Sequence, residues 1–193
     1  MFLREKKVKG KEYLYAVENV WKKGRVKQKV KKYIGRIHNL EVKRRVSFER
    51  FIDKIIKKDF DDYLFYSDAD EIVYNLIAWE LYRRGFSVED KKASKGKLIA
   101  NLKNRRKVLV CRGRPFCVKG KEGYINNLSI NQILNAGHDE EEGDIDKKKA
   151  AFDFARLLVE GGISVPKDVF IELFHKKFLD YDQEEKEDNY IRY

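Results

Sequence analysis

Basic side chains occupy every second position in one stretch near the amino end of the chain. These residues are Arg25, Lys27, Lys29 and Lys31, and Tyr33 continues the spacing. In an extended strand, alternate side chains project from the same face, about 6.8 Å apart. That interval is comparable to the spacing of phosphates along a strand of nucleic acid. The pattern therefore predicts a row of cations that contacts a phosphate backbone, with the Tyr33 ring beside it for stacking on a sugar or base.

Further basic residues are placed where they would widen this contact. They are Lys22, Lys23, Arg44, Arg45, Arg105, Arg106, Arg112 and Arg114. The segment 112–115, Arg-Gly-Arg-Pro, has the core sequence of an AT-hook, whose arginines enter the minor groove of A/T-rich DNA. Apolar runs at 108–111 and 116–118 flank this segment, and they favour two strands joined by a turn over an extended hook.

Charge is strongly segregated along the chain, whose net charge is +11. Residues 1–58 hold 20 Lys and Arg against 6 Asp and Glu, residues 59–138 hold 14 against 10, and residues 139–193 hold 9 against 16. A cationic unit of this density attracts a polyanion, because binding releases the counterions condensed on it. We therefore expect nucleic acid as the partner, DNA in preference to RNA, bound mainly through its phosphates.

The elements that must position these residues indicate an α+β fold in two units. The basic unit, 1–58, is predicted to hold antiparallel strands at 2–8, 12–21 and 25–37, followed by a helix that Ser47 caps and that docks on them. The second unit, 59–179, begins with an acidic, aromatic connection. It continues with a buried helix capped by Ser67, short strands and two carboxyl-terminal helices. The strands are expected near 86–90, 98–102, 108–111 and 116–118, the helices at 145–160 and 166–178, an acidic linker at 138–144 and a disordered acidic tail at 180–193.

The amino-terminal strands also carry a family resemblance. The segments Tyr-Leu-Tyr-Ala-Val-Glu at 13–18, Gly-Arg-Val-Lys-Gln-Lys-Val at 24–30 and Tyr-Ile-Gly at 33–35 resemble the N-terminal segment of DDE transposases carried by insertion sequences. In that family, this segment precedes a catalytic domain with a metal-binding carboxylate triad and helps to hold DNA. We expect no room for that domain in this chain. The resemblance, confined to residues 2–37, therefore implies a transposase-like or transposase-derived DNA-binding element and no catalytic residue.

The second unit resembles the core of restriction-endonuclease-like nucleases, because a helix ending in Arg-Gly-Phe at 84–86 precedes a strand and a hairpin. In that family, one strand carries a metal-binding Asp and the next carries Glu-x-Lys. The Glu-x-Lys position falls here on Cys-Arg-Gly at 111–113, so we assign no catalytic residue. A magnesium-dependent nuclease or transposition-related enzyme with a degenerate site stays open through Asp62, Asp68, Asp70, Glu89, Asp90 and Lys91.

The sequence lacks the residue patterns typical of metal and cofactor sites. Cys111 and Cys117 have no nearby partners for a zinc site, since the three histidines, His38, His138 and His175, are scattered. The sequence has no Gly-Lys-Ser/Thr of a phosphate loop and no Ser nucleophile elbow. We predict no cofactor, no metal and two reduced thiols.

The chain has no run of about 20 apolar residues and no signal-peptide pattern at its start, so we expect a cytoplasmic protein without a membrane partner. Abundant Lys and Glu, with three Gln and no Thr, resemble the composition of hyperthermophile proteins and favour a thermophilic, archaeal source. A further alternative is a protein-interaction module, in which the apolar second unit holds a protein partner while the basic arm contacts acidic surfaces. A homodimer is a separate alternative that stays open.

Overall fold

The computed structural model describes residues 1–22, 24–103, 108–137 and 147–179, and it has the predicted α+β architecture. The strands are β1 (Phe2–Val8), β2 (Lys11–Lys22), β3 (Arg25–His38), β4 (Ser87–Glu89), β5 (Lys92–Lys95), β6 (Leu98–Asn101), β7 (Leu109–Cys111), β8 (Arg114–Lys119) and β9 (Tyr124–Ile125). The helices are α1 (Phe48–Phe51), continued by a π-helical turn at Ile52–Ile56, α2 (Phe60–Tyr66), α3 (Ala69–Arg83), α4 (Asn127–Asn135), α5 (Lys147–Glu160) and α6 (Lys167–Phe178).

The first three strands form the predicted antiparallel meander. Lys9 and Gly10 connect β1 to β2 with positive φ angles of 48° and 74°, the combination of a type I′ turn, whose twist matches that of the strands. β1 pairs along its whole length with the first half of β2 and reaches as far as Val17. Beyond that point β2 pairs, among the described strands, with β3 alone.

Two irregularities interrupt the pairing of β2 with β3. Lys31 and Ile34 of β3 have no direct partner on β2, because the register shifts by one residue at each of them. An extra residue of this kind is a β-bulge, which changes the face on which the subsequent side chains lie. The orientation of the second half of β3 therefore departs from strict alternation.

The strands β4 to β8 form a second antiparallel meander. Four of them were predicted, whereas β5 was missed because it is short and polar, with the sequence Lys-Ala-Ser-Lys. β8 pairs in parallel with the end of β3, from Arg36 with Phe116 to His38 with Val118. This pairing joins both meanders in one sheet with the order β1-β2-β3-β8-β7-β6-β5-β4, and β9 pairs with β8.

The helix α3 is the centre of the larger core. Its N-cap is Asp68, which accepts a hydrogen bond from the backbone N–H of Glu71, so the predicted cap Ser67 is wrong. Ser67 instead ends α2, a helix that occupies the segment expected to be a connection and that begins after its own cap, Asp59. Apolar side chains surround α3 on most of its circumference, which agrees with its burial between other elements.

Apolar residues form two clusters. The larger one surrounds α3 and includes Phe48, Phe51 and Ile52, which we expected to dock on the amino-terminal meander. The smaller one lies against that meander and comprises Leu14, Ala16, Ile34, Ile37 and Cys117. Residues 1–58 thus contribute to both clusters, and the predicted domain boundary near residue 59 stays a prediction.

The carboxyl-terminal helices α5 and α6 confirm the predicted positions of two helices there. The predicted acidic linker at 138–144 and acidic tail at 180–193 lie outside the described residues. Within the described parts of the chain, no helix has both the length and the apolar character needed to cross a membrane.

Candidate nucleic-acid interface

The hairpin of β2 and β3 extends past the rest of the sheet as a two-stranded ribbon, formed by residues 18–22 and 25–29. β1 ends its pairing at Val17, and β8 pairs with β3 only from Arg36 onward. The residues of the ribbon on β3 are all exposed, and Trp21 near the tip is 78% exposed. At about 3.4 Å per residue, the ribbon is roughly 17 Å long and is accessible on both faces.

One face of the ribbon carries most of the predicted row. Directly paired residues of an antiparallel ladder share a face. Arg25 pairs with Lys22, and Lys29 pairs with Glu18, two positions that alternation places on the same side of β2. Lys27 lies between them, so the expected common orientation of Arg25, Lys27 and Lys29 is confirmed. Lys22 joins them from the neighbouring strand.

The bulge at Lys31 sets the orientation of the side chains beyond this row. The Lys31 ammonium lies 2.8 Å from the Glu18 carboxylate, so Lys31 stays on the same face as the row. Lys32 pairs with Ala16 and also lies there, although strict alternation places it on the other face. We call this surface the cationic face. It comprises Lys22, Arg25, Lys27, Lys29, Lys31 and Lys32.

Tyr33 lies on the opposite face of the sheet. It pairs with Tyr15, and its ring centroid lies 5.6 Å from that of Tyr15 and 6.3 Å from that of Tyr13. The prediction that Tyr33 continues the row is therefore wrong, and the physical reason is the bulge at Lys31, which offsets the alternation by one residue.

Three cations that the sequence analysis did not select lie beside these rings. Arg4 pairs with Tyr15, and both Lys6 and Arg36 pair with Tyr13. The alternation of Arg4 and Lys6 along β1 could have indicated that these two cations share a face. Only the pairing with β2 shows that this face is the one that carries Tyr13 and Tyr15. We call this second surface the aromatic face. It comprises Arg4, Lys6, Tyr13, Tyr15, Trp21, Tyr33 and Arg36.

Arg44 has a structural position. Its guanidinium donates hydrogen bonds to the carbonyl oxygens of Tyr82, at 2.7 Å, and Phe86, at 2.9 Å. It also lies 4.3 Å from the centroid of the Tyr82 ring. Arg44 thus ties the carboxyl end of α3, at Tyr82, to the segment that follows it, at Phe86. Its neighbour Arg45 is exposed.

Arg112 and Gly113 form the turn of the β7–β8 hairpin, and Arg114 and Pro115 begin β8. Arg112 and Gly113 have positive φ angles of 49° and 77°, and Cys111 pairs with Arg114 across the turn. The predicted pair of strands joined by a turn is confirmed, and a tight turn differs from the extended peptide of an AT-hook. Arg112 and Arg114 are both exposed. The remaining predicted contacts, Lys23, Arg105 and Arg106, lie outside the described residues.

No family model, curated protein or solved structure matches this chain. The resemblance to the N-terminal segment of DDE transposases therefore depends on residues 2–37 alone.

The acidic residues of the alternative enzyme site serve separate purposes in the described parts of the chain. Asp68 caps α3, whereas Asp90 is exposed and pairs with the Lys103 ammonium at 2.9 Å. The hydrogen bond from Lys103 lowers the pKa of the Asp90 carboxyl. No group of three His, Cys, Asp or Glu side chains among the described residues is arranged to hold a metal ion.

Proposed function

We propose that this protein binds nucleic acid, with duplex DNA as its preferred ligand, through phosphate contacts made by the cationic face. The observation that carries the proposal is the common, exposed orientation of Arg25, Lys27 and Lys29 on a ribbon that extends beyond the rest of the sheet. Each phosphate that one of these cations neutralises releases condensed counterions, which drives binding at low salt.

The charge balance of the cationic face supports this proposal. Glu5, Glu12 and Glu18 lie on this side of the first three strands, but within the described residues the only ion pair of a cationic-face residue is that of Lys31 with Glu18. The side chains of that pair remain 43% and 30% exposed, for Lys31 and Glu18 respectively. The other five cations have no ion pair with a described carboxylate. Their positive charge is therefore available to a ligand.

The shape of the ribbon also suits a DNA groove. Two paired strands lie about 4.8 Å apart, and the major groove of B-DNA, about 12 Å wide, admits a two-stranded ribbon. Lys22 on β2 and Arg25 on β3 face the same way at the tip, so cations from both strands would reach phosphates. Arg45 would extend the contact from outside the ribbon.

The ribbon belongs to the meander formed by residues 2–37, the segment whose sequence resembles the N-terminal segment of DDE transposases. In this proposal the chain is a transposase-like DNA-binding element. The contacts are to the backbone, so the ribbon would bind many sequences with similar affinity.

A salt titration of the full chain with blunt duplex DNA tests this proposal. The variant in which Arg25, Lys27, Lys29 and Lys31 are all replaced by Ala should reduce the slope of log affinity against log salt by about 3, because Lys31 is already paired with Glu18. A matched control replaces four exposed cations elsewhere, Lys54, Lys92, Lys97 and Lys121, by Ala. An unchanged slope in the ribbon variant, or an equal loss in the control, would refute the proposal. Duplex DNA, single-stranded DNA and RNA titrated side by side give the order of preference.

A further inference from the structure

The aromatic face combines exposed rings with cations and is open to solvent. Tyr33 is 41% exposed and Trp21 is 78% exposed, whereas aromatic residues of the larger core, such as Phe48 and Phe51, are at most 1% exposed. Tyr13 and Tyr15 are half-buried beside Tyr33. These rings are therefore accessible from solvent, whereas the aromatic side chains of the larger core are covered by other residues.

The carboxylates of the first three strands all lie on the other side of the sheet. Those strands contain Glu5, Glu12 and Glu18, and alternation and pairing place each of them on the side that carries the cationic face. Two of these carboxylates have partners outside the cationic face. Glu5 forms an ion pair with Lys119 at 2.7 Å, and Glu12 accepts a hydrogen bond from Asn39 at 2.9 Å. Along β1, β2 and β3, the aromatic face thus holds cations and no carboxylate.

Arg114 adds a further positive charge next to Tyr33. Strand alternation places Arg114 on the same side of β8 as Phe116, which pairs with Arg36 of the aromatic face. Burial raises the pKa of the Tyr33 hydroxyl, Cys117, Tyr13 and Tyr15 add to that rise, and Arg114 opposes it. The exposed guanidinium of Arg114 thus adds positive charge on the side of the sheet that carries Tyr33.

We propose that the aromatic face binds a single-stranded segment of nucleic acid, whose bases stack on Tyr33, Tyr15 and Trp21. Base stacking on exposed aromatic side chains, with cations along the backbone, is how proteins hold unpaired strands. Arg4, Lys6 and Arg36 contact the phosphates of that segment, and the missing carboxylates remove the repulsion that a polyanion would otherwise meet. A second copy of the chain would instead place like charges opposite each other at this face.

This inference rests on the proposed function and narrows its ligand. The cationic face and the aromatic face lie on opposite sides of the same meander, so one nucleic acid could occupy both, with its duplex on the cationic face and its unpaired strand on the aromatic face. The preferred ligand is therefore a duplex that continues into a single strand, rather than a blunt duplex.

Fluorescence anisotropy with the full chain tests this ligand. The probes are a blunt duplex and the same duplex with a single-stranded extension of about 8 nucleotides, within the range that such surfaces cover. Comparing a DNA extension with an RNA extension shows which kind of unpaired strand the aromatic face prefers. The wild type should bind the extended duplex more tightly than the blunt one.

The variant Tyr33→Leu should weaken binding of the extended duplex by about 5- to 150-fold, the effect of losing one stacked base, and leave the blunt duplex unchanged. Tyr33→Phe keeps the ring and should bind as the wild type does. Phe65→Leu removes another exposed ring, on α2, and should have no effect. If Tyr33→Leu does not fold, Arg4→Gln with Lys6→Gln leaves the rings intact. This pair should lower the salt slope for a single strand by about 1.4.

Two results would overturn the inference. One is equal affinity of the wild type for blunt and extended duplexes. The other is a dimer in sedimentation that Tyr33→Leu dissociates, because a second copy would then occupy this face. Either result leaves the cationic face untouched. Failure of the proposed function would show separately, as an unchanged salt slope on the blunt duplex when the four cations of the row are removed.

Discussion

The ammonium of Lys31 lies 2.8 Å from the carboxylate of Glu18, across the ribbon from β3 to β2. This ion pair exists because the bulge at Lys31 keeps its side chain on the cationic face. Glu18 therefore withholds one cation from any polyanionic ligand. Both side chains are partly exposed, so the pair contributes little to the stability of the fold.

Replacing Glu18 by Gln should strengthen binding to blunt duplex DNA. The change removes one negative charge and releases Lys31, so the slope of log affinity against log salt should steepen by about 1. The free energy of unfolding should change by less than about 1 kcal/mol, since exposed ion pairs are worth no more than that. Weaker binding, or a shallower slope in a salt titration, would contradict the assignment of this face.

The alternation of Arg25, Lys27 and Lys29 was predictable, because a strand fixes the face of every second side chain and these residues lie in one regular stretch. The orientation of Tyr33 on the opposite face could not be predicted in this way. A bulge depends on how two strands pair, and the residues around Lys31 carry no local signal, such as a Gly or Pro, that would indicate one.

Contacts between distant parts of the chain also could not be predicted from local sequence patterns. The parallel pairing of β3 with β8 joins residues about 80 positions apart, from Arg36 with Phe116 onward. The periodicity of the helix after Ser47 gave its apolar face correctly but not its neighbour, so Phe48 and Phe51 were assigned to the wrong core. Arg44 was selected for its charge, whereas its partners are the carbonyls of Tyr82 and Phe86, about 40 positions away in the sequence.

Replacing Arg44 should affect the stability of the fold, whereas replacing Arg45 should affect DNA binding. Arg44→Ala removes two hydrogen bonds, one to Tyr82 at the carboxyl end of α3 and one to Phe86 beyond it, which should cost about 2 to 4 kcal/mol in the free energy of unfolding. Arg45→Ala removes an exposed charge, so it should leave stability unchanged and weaken DNA binding slightly. Urea unfolding of both variants measures the first effect and a DNA titration the second. Similar unfolding midpoints for the two variants would contradict the structural position of Arg44.

The thiol of Cys117 should make the fold sensitive to alkaline pH. Burial raises its pKa from 9.0 to about 12. The unfolded thiol ionises first, so the stabilising contribution is complete below about pH 9. It is lost as pH rises toward the folded pKa, by about 1.4 kcal/mol per pH unit.

Unfolding of Cys117→Ala by urea at several values between pH 8 and about pH 11 measures this contribution, together with the part of the raised Tyr33 pKa that Cys117 causes. Burial also raises the pKa of Tyr63, which acts in the same direction in both proteins. The variant should therefore lose less stability than the wild type over this range. Parallel pH profiles would show that Cys117 does not contribute.

Trp21 offers a direct readout of the ribbon. The chain has two tryptophans, and while Trp21 is 78% exposed, Trp79 is 6% exposed and donates a hydrogen bond to the Val46 carbonyl. Acrylamide should therefore quench mainly Trp21 in the unbound protein. Saturating amounts of the extended duplex should protect Trp21, because a base stacked on the indole excludes the quencher. The variant Trp21→Phe should lose this response while Trp79 still reports a folded core. Quenching that stays unchanged when the extended duplex binds would contradict the proposed stacking of a base on Trp21, and with it the role of Trp21 in the aromatic face.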